Sequence, residues 1–371
     1  MNKKLTWIDA LRAIAIIMVV AVHARQHSMG LGTWEATLLN EGQMGVQLFF
    51  IVSAITLCMS ASARREEPHP VANFYSRRFF RIAPAYWMGI LFYYLWSIGR
   101  SYYETGIAVA APQYTFLNVL SNIFFVHGFY PPANNNIVPG GWSIGTEMAF
   151  YAIFPLLWRW QDRLPLRRLW VFAAGTMLAG FAVLGFAHWV LGEVVLVNNF
   201  WYFNITSQLG VFVIGMCAYR WMDHVGRRFA LGLFLGFFAI GSAIWVLNVK
   251  GTFYVVSLVF GLAFAGAALY FAHLPEKRFM KLLAPVGKVS FSMYLFHFAV
   301  LDALGIIFHK FSLAGRMGDN AYAVLLWIAA IAVTFVIARL SYRFVEKPGI
   351  AFGKKLTLRW LGTAEGGNGR K

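Results

Sequence analysis

Charge and cysteine are what this chain has least of. Of its 371 residues only 13% are charged, and two are cysteine. A soluble domain carries about 25% charged residues, so the first shortage excludes an ordinary soluble protein. The cysteines, Cys58 and Cys217, both lie in apolar segments. They supply neither a disulfide framework nor a metal site, and burial as small apolar groups is their ordinary role. Acidic residues are scarce as well, 15 against 32 Lys and Arg. Long polar stretches are missing; the longest, roughly 99–141, is rich in aromatic residues and leaves no room for a separate soluble domain. No internal repeat is visible, which argues against the inverted-repeat architecture of many transporters. The first apolar segment carries an arginine and lacks a small-residue cleavage site, so it is expected to be a retained span.

Hydrophobic sequence is what the chain has in excess, at 59%. Apolar runs predict about ten spans, at 7–27, 43–61, 80–98, 142–159, 169–190, 205–221, 230–248, 252–272, 288–309 and 322–344. With the amino terminus inside, the inner loops and tail hold 25 of the 32 basic residues, while outer loops hold only a few, such as Arg25, Arg100, Lys250 and Arg316. That bias is the positive-inside signature. It assigns the net charge of +17 to topology rather than to nucleic-acid binding. The expectation is an all-α integral membrane protein of the cytoplasmic membrane, a single bundle with both termini cytoplasmic. Residues 1–350 would form the transmembrane domain and 351–371 a disordered cytoplasmic tail. In the 99–141 loop, the apolar piece TFLNVLSNIFFVHGF is too short for a full span, which predicts a partly re-entrant outer loop.

Against this apolar background the ionisable residues stand out. Arg12 and His23 share the first span, and an ionisable residue inside a membrane is a functional hypothesis by default. Eleven residues on a helix turn about 1,100°, three turns plus roughly 20°, and rise about 16 Å. Both side chains therefore share a face, one near each end of the span. In GGWSIGTEMAFYAIFPLL, Glu147 lies inside apolar sequence, with Ser143 one turn before and Tyr151 one turn after. It either faces a cavity or pairs with a cation to lock packing. Arg78 and Arg81, in YSRRFFRIAPAYW, share a helical face at the inner edge of the third span. They either grip phosphate with paired guanidinium forks or set topology beside lipid headgroups. In KVSFSMYLFHFAVL, Tyr294 and His297 are one turn apart, and His297 serves either a neighbouring helix or the chemistry.

Taken in order, these pieces resemble the acyltransferase-3 family, membrane enzymes that acylate extracytoplasmic glycans and related acceptors. The resemblance covers nearly the whole chain. It rests on IDALRA with Arg12 and His23, on GVQLFFIVSAIT, on RFFR with Arg78 and Arg81, on GGWSIGTEMAFYAIFP with Trp142, Ser143 and Glu147, and on SFSMYLFHFAVL and FVEKP. Two departures stand against it. Ala54 follows Ser53 where the family usually has glycine, and SQLGVFVIG carries Gln208, Leu209 and Gly210 where the family often has arginine and glutamate. The chain ends after the tenth span without the fused hydrolase-like domain of some relatives, which suggests transfer by the membrane domain alone.

The resemblance implies an O-acetyltransferase reaction, with acyl-coenzyme A, most commonly acetyl-coenzyme A, as the cytoplasmic donor substrate. It implies no permanently bound cofactor and no metal. A glycan or lipid-linked saccharide is the acceptor, and membrane lipids are the surroundings. On that reading Arg78 and Arg81 hold the donor's phosphates, and its pantetheine arm runs past Arg12 and Glu147. Trp142, Ser143, Tyr294 and His297 join the binding residues. His23 acts as general base on the acceptor hydroxyl or as an acyl carrier, and Glu147 orients or stabilises its imidazole. The outer-loop aromatics Trp34, Tyr102, Tyr103, Tyr114 and Tyr130 either stack on sugar rings or form an interfacial belt. The competing class is a transporter or flippase of a lipid-linked glycan or small metabolite, using the same buried charges as a substrate path.

Overall fold

The computed structural model describes residues 5–28, 30–193, 199–247 and 252–361. Both chain ends, with Lys3, Lys4, Arg370 and Lys371, lie outside them. The described residues are helical, with no β-strand among them. In chain order the helices are α1 (Thr6–Gln26), α2 (Thr33–Glu41), α3 (Gly45–Ala63), α4 (Pro70–Thr105), α5 (Phe116–Ile123), α6 (Gly141–Arg163), α7 (Leu166–Trp189) and α8 (Phe200–Phe203). They continue with α9 (Ile205–Trp221), α10 (Arg227–Val246), α11 (Phe253–Ala272), α12 (Arg278–Lys288), α13 (Ser290–Lys310), α14 (Leu313–Met317), α15 (Asp319–Ser341) and α16 (Lys347–Leu361).

Eight helical stretches among the described residues are long and apolar enough to cross a membrane. They are Thr6–Gln26, Glu35–Ala63, Leu166–Trp189, Phe200–Trp221, Arg227–Val246, Phe253–Ala272, Ser290–Lys310 and Asp319–Trp360. The remaining two of the ten expected spans, 80–98 and 142–159, fall in α4 and α6. Those helices are long enough, at 36 and 23 residues. Their tyrosines, tryptophans and prolines, with Glu147 in α6, hold the hydropathy down. The apolar piece of the 99–141 loop forms α5, whose eight residues rise only about 12 Å, followed by 3-10 turns at His127–Phe129 and Pro131–Ala133. Residues 351–361, expected in a disordered tail, are helical as the body of α16. This helix rests on α4, where Phe352 meets Phe80 edge-on at 5.7 Å and Ser76 hydrogen-bonds Thr357. Contact with a neighbouring helix outweighs the polar composition there. Residues 362–371 of the expected tail lie outside the described residues.

Contacts divide the chain into two compact units, Met1–Thr56 with Leu164–Ala338, and Leu57–Arg163 with Arg339–Lys371. In the first unit, α1 packs against α2, α11, α12 and α13 and against the 3-10 turn Gly42–Met44. Without a strong hydrophobic drive between helices in lipid, close backbone approach supplies the attraction. Gly287 of α12 shows how close it is: a Cβ there would sit 1.8 Å from the backbone oxygen of Asp9 on α1. A Cβ on Gly42 would sit 2.3 Å from the backbone oxygen of Met18. Ala54, in the position where glycine was expected, has its methyl against Gly215 of α9, so the missing side chain is found on the opposite helix.

In the second unit, α4 starts with Pro70 in its first turn, where the absent N–H costs nothing. It ends at Gly106, whose φ of +74° allows its N–H to cap the carbonyl of Tyr102 at 2.9 Å. Phe74 of α4 stacks on Phe154 of α6 at 5.2 Å, and the Tyr75 hydroxyl donates to the Ala152 carbonyl at 2.7 Å. Thr115 caps α5 by accepting from the Asn118 N–H.

Candidate active site

In the first unit the polar groups of α1 gather at its two ends. At one end the Arg12 guanidinium lies 3.6 Å from the Asp9 carboxylate, one turn away, and donates to the Thr56 hydroxyl of α3 at 3.4 Å. Thr56 in turn donates to the Ser53 carbonyl at 2.9 Å. A charge kept inside a membrane helix needs such partners, and these hold Arg12 in place.

At the other end His23 meets α13. Its ring lies 5.2 Å from the ring of His297 and 4.2 Å from that of Phe298. His23 Nδ1 is 3.1 Å from Gln26 Oε1, one turn on. A carbonyl oxygen only accepts, so Nδ1 carries the proton and Nε2 the lone pair. That tautomer is the one a general base needs. The orienting bond therefore comes from Gln26 on the same helix. His297 is fully buried and has the same tautomer, because its Nδ1 donates to the Tyr294 carbonyl at 2.7 Å. Tyr294 packs against His297 at 5.6 Å and edge-on against Phe49 at 6.1 Å.

The second unit holds the charged candidates. Tyr151 donates to Glu147 at 2.5 Å, and the Arg78 guanidinium lies over the Tyr151 ring, 5.6 Å from its centre. The tyrosine thus joins cation and carboxylate, with its ring facing one and its hydroxyl the other. The other two arginines of the segment differ. Arg77 is paired with Glu67, its Nη1 donating to both carboxylate oxygens at 2.8 and 2.9 Å, whereas Arg81 is exposed. Trp142 and Ser143 are buried in the first turn of α6, where the Ser143 hydroxyl donates to the Gly140 carbonyl at 3.1 Å.

Two polar clusters were not singled out from the sequence. In the first unit Gln47 donates to the Tyr202 hydroxyl at 3.0 Å and to Gln208 Oε1 at 3.4 Å. Tyr202 is 2.8 Å from the Ser257 hydroxyl. All four residues are buried. The signal was available: Gln47 and Gln208 both interrupt apolar runs, Gln208 at a family departure. In the second unit His127 has Nε2 3.0 Å from the Gly141 carbonyl and 3.3 Å from the Tyr86 hydroxyl, while Tyr86 donates to Asn122 at 2.7 Å. This cluster anchors the loop to the start of α6. Burial holds the His127 imidazole below its ordinary range, offset in part by the carbonyls of Gly141 and Ser121. No group of three or more His, Cys, Asp or Glu that could hold a metal occurs among the described residues.

Of the residues singled out from the sequence, His23, Tyr294 and His297 come together in the first unit, with Arg12 at the far end of α1. Arg78 and Glu147 come together through Tyr151 in the second unit, which also carries Arg81, Trp142 and Ser143.

The chain is similar to known proteins. The family described as an acyltransferase domain, of the acyltransferase-3 type, matches residues 5–339. The O-acetyltransferase OatA of Staphylococcus aureus (strain NCTC 8325 / PS 47) is 23% identical over 379 residues, covering 92% of this chain and 56% of the relative. A putative O-acetyltransferase, SACOL0978 of strain COL, is 23% identical over 395 residues, covering 96% and 59%. The chain thus spans somewhat more than half the length of these relatives. No solved structure matches it.

Proposed function

This chain belongs to the acyltransferase-3 family, and on that premise we propose that it moves an acetyl group from cytoplasmic acetyl-coenzyme A to a hydroxyl of an extracytoplasmic or lipid-linked glycan. His23 is the general base. The observation that carries this reading is the state of His23: its Nδ1 is committed to Gln26, so Nε2 has a lone pair for a hydroxyl proton. The names of the relatives support oxygen as the accepting atom.

In the proposed reaction the acceptor O–H bond breaks, its proton passes to His23 Nε2, and the oxygen attacks the thioester carbonyl. The tetrahedral adduct collapses, the C–S bond breaks, and coenzyme A leaves as a thiolate that takes the proton back. Arg78 and Arg81 hold the donor's phosphates; Arg78 is preset by the Tyr151 ring, and Arg81 is exposed to receive the ligand. Glu147 fixes Tyr151 and through it Arg78, while Arg12 is a positioning group. On this reading both termini are cytoplasmic, which the distribution of basic loops supports.

The test is coenzyme A release by purified protein supplied with labelled acetyl-coenzyme A and candidate glycans. Label should appear on the glycan as an alkali-labile ester, one equivalent per coenzyme A released. Glycan movement across proteoliposomes without label transfer would refute the proposal.

A further inference from the structure

We infer that His297 is the second half of the base, accepting a hydrogen bond from His23 once His23 has taken the acceptor's proton. The inference rests on the reading of His23 as general base.

His297 holds a buried acceptor with nothing to accept. Its Nδ1–H is committed to the Tyr294 carbonyl, so Nε2 must carry the lone pair, and Nε2 is buried with no hydrogen-bond partner. An unpaired buried acceptor costs about 1–3 kcal/mol, and native proteins rarely retain one without a reason. Packing alone does not supply the reason, since an apolar ring would fill the space without the penalty. The neighbouring ring does. His23 lies 5.2 Å away between centroids, tilted by 41°, and its own Nε2 is also bare because Gln26 holds the other nitrogen. Two acceptors cannot satisfy each other at rest. One proton on His23 Nε2 turns that atom into a donor and gives His297 Nε2 its partner.

Charge makes the pairing useful. When His23 takes the hydroxyl proton it becomes an imidazolium inside an apolar bundle, where an unpaired charge is costly. A neutral imidazole acceptor beside it supplies a charge-assisted hydrogen bond, and Phe298 lies 4.2 Å from both rings, excluding water from that side. The proton then has two acceptors, the attacking oxygen and His297 Nε2, until the thiolate collects it. No further proton or co-reactant enters. Titratable groups near the pair include His27, just past the end of α1, and on α13 Tyr294 and Asp302, the latter one turn beyond Phe298. α3 presents the phenyl ring of Phe49, and α12 and α14 adjoin the two ends of α13 with Lys288 and Arg316. No carboxylate is paired with either imidazole among the described residues, which leaves each ring to the other.

The test is the pH dependence of acetyl transfer in the full chain, for wild type, His297→Asn and His297→Gln. His297→Asn keeps a donor for the Tyr294 carbonyl but has no atom at the Nε2 position; His297→Gln places an amide oxygen there that can still accept from His23. His297→Asn should lower kcat about tenfold and move the acid limb of the profile down by about one unit, and His297→Gln should recover most of both. KM for acetyl-coenzyme A should stay within about twofold. An unchanged profile with only a lower melting temperature would make His297 a packing residue and overturn the inference. A raised KM with unchanged kcat would make it a donor-binding residue and overturn it equally. If neither variant folds, single-turnover rates of the wild type in mixtures of light and heavy water decide. A bowed dependence supports a shared proton, and a straight line refutes it. His23→Gln separates the two claims: if it retains turnover, the general-base reading itself has failed.

Discussion

The two units solve the problem of polar groups in an apolar protein in opposite ways. In the first, the candidate groups are neutral at rest: two imidazoles with the same tautomer, and a buried Gln47–Tyr202–Gln208–Ser257 network built of amides and hydroxyls. Arg12, half-buried, is tied down by Asp9 and Thr56. In the second, charge is kept and managed, with Arg78 on an aromatic face and Glu147 held by the same tyrosine. The difference teaches a division of chemistry. Neutral groups with free lone pairs suit proton transfer, and fixed cations suit binding of an anionic donor.

The comparison can be broken most directly at His23. His23→Ala should lower acetyl transfer by about 10²–10⁴-fold with acetyl-coenzyme A affinity preserved, measured by coenzyme A release and by donor titration. A loss of donor affinity instead would place donor binding in the first unit. The reciprocal variant is Arg78→Ala, for which loss of a charge-assisted contact predicts an affinity for acetyl-coenzyme A weaker by about ten- to a hundredfold. Arg78→Lys should recover only part of it, because an ammonium neither stacks nor forks. Calorimetric titration checks both, and unchanged affinity in Arg78→Ala and Arg81→Ala together would remove the phosphate clamp.

Smaller effects sharpen the same contrast through packing. Gly287→Ala drives a Cβ onto the backbone of Asp9, and Gly145→Ala brings one to 2.6 Å from His127 Nε2. Overpacking of this kind costs about 1–3 kcal/mol, read as a lower melting temperature in detergent. Gly287→Ala should be the worse, because a backbone cannot turn aside as a ring can. The smallest expected effect is a pH dependence in the second unit. Burial lowers the His127 value in the folded state, so the unfolded chain takes up the proton more readily. The resulting stability is fully present above the ordinary imidazole value of about 6.5 and is lost as pH falls below it. Acidification from about pH 7.5 to 5.5 should therefore lower the melting temperature of wild type more than that of His127→Gln; equal shifts would show that His127 does not titrate on unfolding.

Much of this arrangement was legible in the sequence because it depends on contrast. An arginine or a glutamate in an apolar run is visible without knowing what it touches, which is how Arg12, Arg78, Arg81 and Glu147 were found. His23 and Gln26 are one turn apart, so even the orienting bond was within local reach. Gln47, Tyr202, Gln208 and Ser257 were harder, since an uncharged residue in a span differs little from packing material until its partners are known. His127 was hidden differently: its segment forms a short helix and two tight turns, and nothing local pairs it with Tyr86, 41 residues earlier. The helical state of residues 351–361 was missed because their polar composition says nothing of Phe80 and Ser76 on α4, the contacts that hold them.

By itself the sequence determined the class of protein, the placement of the apolar helices and the spacing of Arg12 and His23, because hydropathy and helical phase are local properties of the chain. Which groups meet across helices was decided by the tertiary structure. His23 and His297 are brought ring to ring by α1 and α13, α12 is drawn onto α1 where Gly287 admits the backbone of Asp9, and Arg78 finds Tyr151 between α4 and α6. Such pairings follow from crossing angles and close approaches that many small contacts set jointly, and no single segment encodes them.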